Sequence, residues 1–119
     1  MNEKLCTDLV RNRAVSFDDS MHGQMGALPC ETCGMWSHTL ERHHRKFRSR
    51  GGLWAPSNII LICSACHADA TDEAPWVSGR GLNVHSYQEP SEVPVWLWHS
   101  GLSLLDDEGG YTPALFDTP

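Results

Sequence analysis

The sequence predicts an α+β fold, in which a small strand–loop–strand–helix core holds a structural zinc site and a C-terminal β-hairpin or small sheet is appended. Three observations lead to this prediction. Two Cys-x-x-Cys pairs bracket the core, an apolar run leads into a short helical segment, and short strands separated by turn residues follow Pro75. A chain of 119 residues has a modest core, which bound metal often reinforces.

The elements before Pro75 are predicted from apolar spacing and from turn residues. In chain order we expect a helix over residues 4–14, a linker over 16–29, a strand or hairpin arm over 35–44, a polar loop over 45–57 and a strand over 58–62. Ser64 is then expected to cap a short helix that runs to about Thr71. Leu5 and Leu9 lie four positions apart, as on one helix face. The run NIILI is short, apolar and β-branched, which favours a strand.

The C-terminal part is predicted to be rich in β-structure. The expected strands cover residues 81–87, 95–99 and 102–105, with Trp96 or Trp98 facing inward, and residues 111–119 are expected to form a loose tail. We therefore divide the chain into an N-terminal helix and loop, a core, and an acidic extension: residues 1–29, 30–74 and 75–119.

Charge is distributed unevenly. The net charge is −6, but residues 1–68 carry +2 and residues 69–119 carry −8. Five of the nine lysines and arginines fall within residues 42–50. A basic cluster beside histidines indicates a local surface that binds nucleic acid, although a charge run taken alone is more often solvated surface. The chain lacks a run of about 18 apolar residues, so no membrane-spanning helix is expected.

The first residues, MNEKLC, lack the apolar region of a secretory signal, so we expect a cytoplasmic protein. Thiols stay reduced in the cytoplasm, where paired cysteines bind metal more often than they form disulfides. Four thiolates from two tight turns suit tetrahedral zinc, and four protein ligands leave no position open for catalysis. The sequence therefore predicts a structural zinc site, with disulfides or buried thiols as the alternatives. The predicted zinc ligands are Cys30, Cys33, Cys63 and Cys66.

Histidines and an asparagine recur within the core at fixed spacing. The pair His43-His44 is followed by Asn58 after 13 residues and by His67 after eight more. With Gly51-Gly52 in the loop and a Cys-x-x-Cys-His ending, this segment resembles the HNH endonuclease family, whose core is a ββα-metal unit. The stretch HHRKFRSRGGLWAPSNIILICSACH also resembles small HNH proteins of bacteriophages.

The resemblance implies roles for four residues. His43 and His67 would hold a catalytic divalent ion, His44 would be the general base, and Asn58 would hydrogen-bond across the loop to fix the base. The chemistry independently requires such groups, because phosphodiester hydrolysis needs a proton acceptor for water and a stabiliser of the leaving oxygen. Adjacent strand residues point to opposite faces, so we expect a bend or bulge at the histidine pair. Many family members have a further acidic or histidine metal ligand one helical turn after the last motif histidine. In this sequence that position is Thr71.

The basic cluster is expected to contact phosphates without selecting sequence. Its members are Arg45, Lys46, Arg48 and Arg50. Trp54 could stack on a base, but a packing role is more common. The catalytic ion is left open among Mg²⁺, Mn²⁺, Ni²⁺ and Zn²⁺.

The predicted function is a metal-dependent DNA endonuclease of low sequence specificity. The resemblance also implies phage DNA processing or packaging, with DNA, the terminase or other phage proteins as partners and the host cytoplasm as location. A non-catalytic zinc-ribbon module that binds nucleic acid or protein is the alternative. A second alternative is an interaction protein with a degraded nuclease core, whose acidic extension engages a basic partner. Oligomeric state is not predicted.

Overall fold

The computed structural model describes residues 1–15 and 27–114. Residues 16–26 of the predicted linker and residues 115–119 of the predicted tail lie outside the described residues. The end of the predicted linker, Leu28–Pro29, is a short strand rather than linker. The elements in chain order are α1 (Glu3–Val15), β1 (Leu28–Pro29), β2 (Trp36–Ser37), β3 (Glu41–His44), β4 (Ile59–Ile62), α2 (Ser64–Thr71), α3 (Pro75–Gly79), β5 (Val95–Leu97), β6 (Gly101–Leu105) and β7 (Tyr111–Pro113), with 3-10 turns at Arg48–Arg50 and Pro90–Glu92. The predicted α+β class is confirmed, and no helix among the described ranges is long and apolar enough to cross a membrane.

Strand β4 lies at the centre of the core. It pairs antiparallel with β3, in the register His43–Ile60 and His44–Ile59. Every residue of β4 is buried, because both faces of the strand are covered. Ile60 and Ile62 pack with the cysteines, α2 and the C-terminal sheet, whereas Ile59 and Leu61 pack with α1 and Leu28. This double covering explains an uninterrupted apolar run where a half-exposed strand would alternate.

Helix α1 is held on the core by a buried ion pair. Arg13 donates two hydrogen bonds to the carboxylate of Glu31, at 2.8 and 2.9 Å, and both side chains are almost fully buried. Arg13 also donates to the carbonyls of Pro56 and Ile59. Glu31 in turn accepts from the backbone N–H of Leu61. One charged pair therefore joins the helix, the first cysteine turn and the central strand.

The C-terminal extension differs from the prediction in two segments. Residues 81–87 form turns rather than a strand, and the preceding residues form α3. The backbone N–H of Leu82 bonds back to Val77 and that of Val84 bonds to Arg45. The segment therefore bonds to separate parts of the chain instead of pairing with one strand. Gly81 has a φ of +75° and lies so close to the Pro94 carbonyl that a Cβ would be 2.0 Å away.

The predicted hairpin is present and gains a third strand. Sheet order is β5-β6-β7, all antiparallel, so Tyr111–Pro113 is a strand rather than loose tail. The inward-facing residues of β5 are Val95 and Leu97, whereas Trp96 is only partly buried and Trp98 is exposed. The prediction of an inward tryptophan is therefore wrong, since the alternation of the strand places the two branched aliphatic side chains in the core.

Candidate active site and metal centres

The four predicted cysteines converge on one point. Their sulfur atoms lie within 4.8 Å of one another, with 3.9 Å between Cys30 and Cys66 and 3.8 Å between Cys33 and Cys63. None of the described cysteines is in a disulfide. A tetrahedron with zinc–sulfur bonds of about 2.3 Å has edges of roughly 3.8 Å, so the arrangement fits a structural zinc ion.

Local backbone turns form this four-cysteine site, the zinc knuckle. The backbone N–H of Gly34 bonds to the Cys30 carbonyl, and Gly34 has a φ of +82°, which closes the first cysteine turn. The second cysteine turn opens α2, whose N-cap is Cys63. Ser64 is the first helical residue rather than the predicted cap. Cys6, outside the cluster, is a buried thiol in the α1 interface.

One face of β3 and the helix α2 bring His43 and His67 together. Their ring centroids are 5.3 Å apart with an interplanar angle of 68°. Glu41 lies two residues before His43 on the same strand face, and its carboxylate contacts Nδ1 of His67. A carboxylate on one imidazole nitrogen leaves the other, Nε2, for a metal ion.

His43 is held as a neutral ring. Its Nε2 lies 2.9 Å from the carbonyl oxygen of Leu82 and 3.1 Å from Oδ1 of Asn83. Burial lowers the pKa of His43 to about 4, because desolvation disfavours the imidazolium. Metal binding requires neutral imidazole. The two histidines therefore fit the donor set that a catalytic divalent ion requires.

His44 occupies the other face of β3. Its ring packs against Trp54, with centroids 4.5 Å apart at 71°. The guanidinium of Arg42 lies 4.9 Å from the same indole, and that of Arg48 lies 6.0 Å away. Burial lowers the pKa of His44, and the charges of Arg48 and Arg42 lower it further. The ring is thus neutral near pH 7, as a general base requires.

A single open cavity of about 220 Å³ reaches both faces. It is lined by Arg42, His43, His44, Phe47, Arg48, His67 and Thr71. Within the described residues β3 pairs on one side only, with β4, and the cavity brings together residues from its two faces. The register of β3 is continuous through both histidines, so the predicted bend or bulge is wrong. Both histidines line the cavity although the strand has no bulge.

Asn58 clamps the loop that follows the histidine pair. Its Oδ1 accepts from the backbone N–H of Lys46 at 2.7 Å, and its Nδ2 donates to the carbonyls of Lys46 and Leu53. Gly52 lies against this clamp, where a Cβ would fall 1.7 Å from the Lys46 carbonyl oxygen. These contacts set the path of the chain two residues beyond His44. They do not touch the imidazole itself, whose Nε2 is buried and has no hydrogen-bond partner among the described residues.

The basic residues do not form one surface. Arg45 is fully buried, and its guanidinium donates to four backbone carbonyls. A guanidinium enclosed in this way is not available to phosphate, so the predicted contact by Arg45 does not fit its position. Arg48 is exposed at the cavity, Lys46 is partly exposed, and Arg50 pairs with Glu73 at 3.4 Å and lies over Phe47.

Four residues of the site were not assigned from the sequence. Glu41, Arg42, Leu82 and Asn83 contact or flank the histidines. Glu41 could have been found from strand alternation, since it shares a face with His43. Leu82 and Asn83 carry no local pattern, because a tertiary fold alone brings the extension to the histidine. Trp54 packs on His44, in line with the more common of its two expected roles.

The comparisons agree with the geometry of the core. Residues 30–73 match the family model described as HNH endonuclease, and this range contains the four clustered cysteines together with His43, His44, Asn58 and His67. The match supports the predicted resemblance to this family over residues 30–73. No curated protein and no solved structure matches the chain.

Proposed function

Because residues 30–73 match the family model described as HNH endonuclease, we propose that the protein is a metal-dependent endonuclease that hydrolyses phosphodiester bonds in DNA. The observation that carries the proposal is the shared cavity. It unites His43, on one face of β3, and His67 of α2 with His44, Arg42 and Arg48 on the other side of the strand. A zinc ribbon that only binds a partner requires the cysteines but not this arrangement.

His43 and His67 are the residues that would hold the divalent ion. When bound, the ion would act as a Lewis acid that stabilises the negative charge on the leaving 3′ oxygen. Nδ1 of His67 faces Glu41 and Nε2 of His43 faces the extension, so each ring keeps one nitrogen for coordination. Imidazole ligands suit Mn²⁺, Ni²⁺ or Zn²⁺, whereas Mg²⁺ prefers oxygen ligands.

His44 takes the proton in this mechanism. A neutral imidazole accepts a proton from the water that attacks phosphorus, and its ring is already held by Trp54. Arg42 and Arg48 place positive charge beside the ring, which favours binding of a phosphate and keeps the base unprotonated before the substrate arrives. Asn58 acts at a distance, by fixing the loop that begins directly after the base.

The substrate side of the proposal is a nucleic-acid backbone. Arg48 is exposed at the cavity and Lys46 lies in the same loop, while the acidic residues of the extension give that part of the surface the opposite charge. Contacts of this kind bind phosphate without selecting bases, so we expect low sequence specificity. The terminase and other phage proteins stay predicted partners, which pull-down with purified terminase would test.

The test is conversion of supercoiled plasmid by zinc-loaded protein in Mg²⁺, Mn²⁺, Ni²⁺ or EDTA. We expect nicked or linear product that requires a divalent ion. The variants His44→Ala and His67→Ala should lose the activity, whereas exposed His38→Ala serves as the matched control and should keep it. A folded, zinc-loaded protein that cleaves with none of the metals would instead favour the binding module.

A further inference from the structure

The extension outside the HNH segment reaches into the candidate metal site. Residues 81–84 follow α3 and lie against the buried side of His43, where the Leu82 carbonyl and the Asn83 side chain both meet Nε2. The segment is itself fixed, since Leu82 is fully buried and the backbone N–H groups of Leu82 and Val84 are bonded to Val77 and Arg45. A rigid piece of chain therefore contacts one of the two proposed ligands.

The direction of these hydrogen bonds follows from the network itself. Nδ2 of Asn83 lies 2.9 Å from the carbonyl oxygen of Ala70, and a carbonyl can only accept, so the amide nitrogen must face it. The amide oxygen then faces His43, and the Leu82 carbonyl is a second acceptor at the same atom. Two acceptors at Nε2 require that this nitrogen carry the hydrogen.

Asn83 also joins the two elements that carry the ligands. Its oxygen contacts His43 on β3, and its nitrogen contacts the carbonyl of Ala70 in the last turn of α2, the helix that presents His67. A single amide thus links the His43 ring to the helix that presents His67. Removing it would leave the His43 ring held at Nε2 by the Leu82 carbonyl alone and would break the link from that ring to the end of α2.

We propose that Leu82 and Asn83 are positioning residues of the metal site, which hold His43 as the Nε2–H tautomer and so offer Nδ1 to the ion. The inference rests on the proposed function only in taking His43 as a ligand of a divalent ion. Such outer contacts orient a ligating histidine and raise its basicity, and their loss typically costs 10–100-fold in metal affinity. The extension is then part of the nuclease centre rather than an appendage.

The first test uses the wild-type protein with zinc in the cysteine site and the second site empty. Long-range ¹H–¹⁵N correlation spectra assign the imidazole tautomers. We expect His43 to be the neutral Nε2–H form, with its signal identified by comparison with His43→Gln. A neutral Nδ1–H form, or exchange between the two forms, would overturn the proposal without any reference to cleavage.

The second test measures Mn²⁺ or Ni²⁺ affinity by calorimetry in Asn83→Leu. The Leu82 carbonyl still holds the tautomer in this variant, so it isolates the positioning by the amide, and we expect affinity to fall by about tenfold. The matched control is Gln88→Leu, since Gln88 is another partly buried amide in the extension that bonds to backbone, at His85, away from the cavity. Affinity within twofold of wild type in a folded Asn83→Leu protein would overturn the proposal.

The two proposals fail in different ways. If the protein binds the ion, shows the Nε2–H tautomer and loses affinity in Asn83→Leu but cleaves no DNA, the positioning role holds and the nuclease proposal fails. If it cleaves DNA with unchanged metal affinity in Asn83→Leu, the nuclease proposal holds and the positioning role fails.

Discussion

Replacing Arg45 separates a structural role from a phosphate contact more clearly than any other change in the basic cluster. The guanidinium donates at 2.8 Å to Gly81, 2.8 and 3.0 Å to Ser57 and Pro90, and 2.6 Å to Val93. All four acceptors are backbone carbonyls, from the loop before β4 and from the extension. Arg45→Met keeps much of the side-chain length but removes every donor.

The expected loss of stability depends on the buried carbonyls that Arg45→Met leaves without a donor. Hydrogen bonds to a charged group each contribute about 1.5–3 kcal/mol net, but the cost of desolvating the guanidinium offsets part of their sum. Arg45→Met removes a donor from four backbone carbonyls, and a buried carbonyl left without a donor costs about 1–3 kcal/mol. After the offset we expect a net loss of about 3–5 kcal/mol, which is a large share of the ~5–15 kcal/mol that a domain usually has.

The assay is urea unfolding of zinc-loaded protein, combined with DNA binding as a function of salt. Exposed Arg48→Met is the control: its stability should stay within about 0.5 kcal/mol of wild type, whereas its salt slope should fall by about 1. Arg45→Met should show the reverse, lost stability with an unchanged salt slope. Wild-type stability together with a reduced salt slope in Arg45→Met would refute the buried role.

Three further predictions concern the zinc site, the ion pair that holds α1 and the base. Cys63→Ser should lose zinc and with it the fold, because zinc bound by four ligands supplies much of the stability of so small a core. A Cys63→Ser protein that circular dichroism shows to be folded and metal analysis shows to be free of zinc would contradict this. Arg13→Met should cost about 3–5 kcal/mol by leaving the buried carboxylate of Glu31 without its cation. A urea midpoint equal to wild type would show that the ion pair contributes nothing. Since Arg48 lowers the pKa of His44, Arg48→Ala should raise that pKa and move the acidic limb of the kcat/KM profile to higher pH. An unchanged or lower limb would argue against His44 as the base.

The core was predictable because its constraints are local in sequence. The cysteine spacing, the run of β4 and the length of α2 each indicate their structure without reference to distant residues. The placement of His43 and His44 on opposite faces also follows from strand alternation. The predicted bulge is absent from the structure. One cavity reaches both faces of β3, and the sequence alone could not show this.

The failures occur where tertiary contacts decide the structure. Residues 81–87 have strand-like composition, but Gly81 lies against the Pro94 carbonyl and the following N–H groups bond to other segments. Arg45 belongs to a basic run in sequence and is distinguished from its neighbours only by carbonyls that converge from distant parts of the chain. Asn83 has no sequence pattern at all, since its partners belong to β3 and α2.

We propose that the cavity between His43, His67 and His44 is a metal-dependent nuclease centre distinct from the zinc knuckle. The most direct measurement is the plasmid cleavage rate against Mn²⁺ concentration for wild type and His67→Ala, with zinc content measured in the same samples. We predict one zinc per chain in both proteins, a saturable Mn²⁺ dependence in wild type and its loss in the variant. Equal cleavage by both proteins, or cleavage that does not depend on Mn²⁺, would contradict the claim.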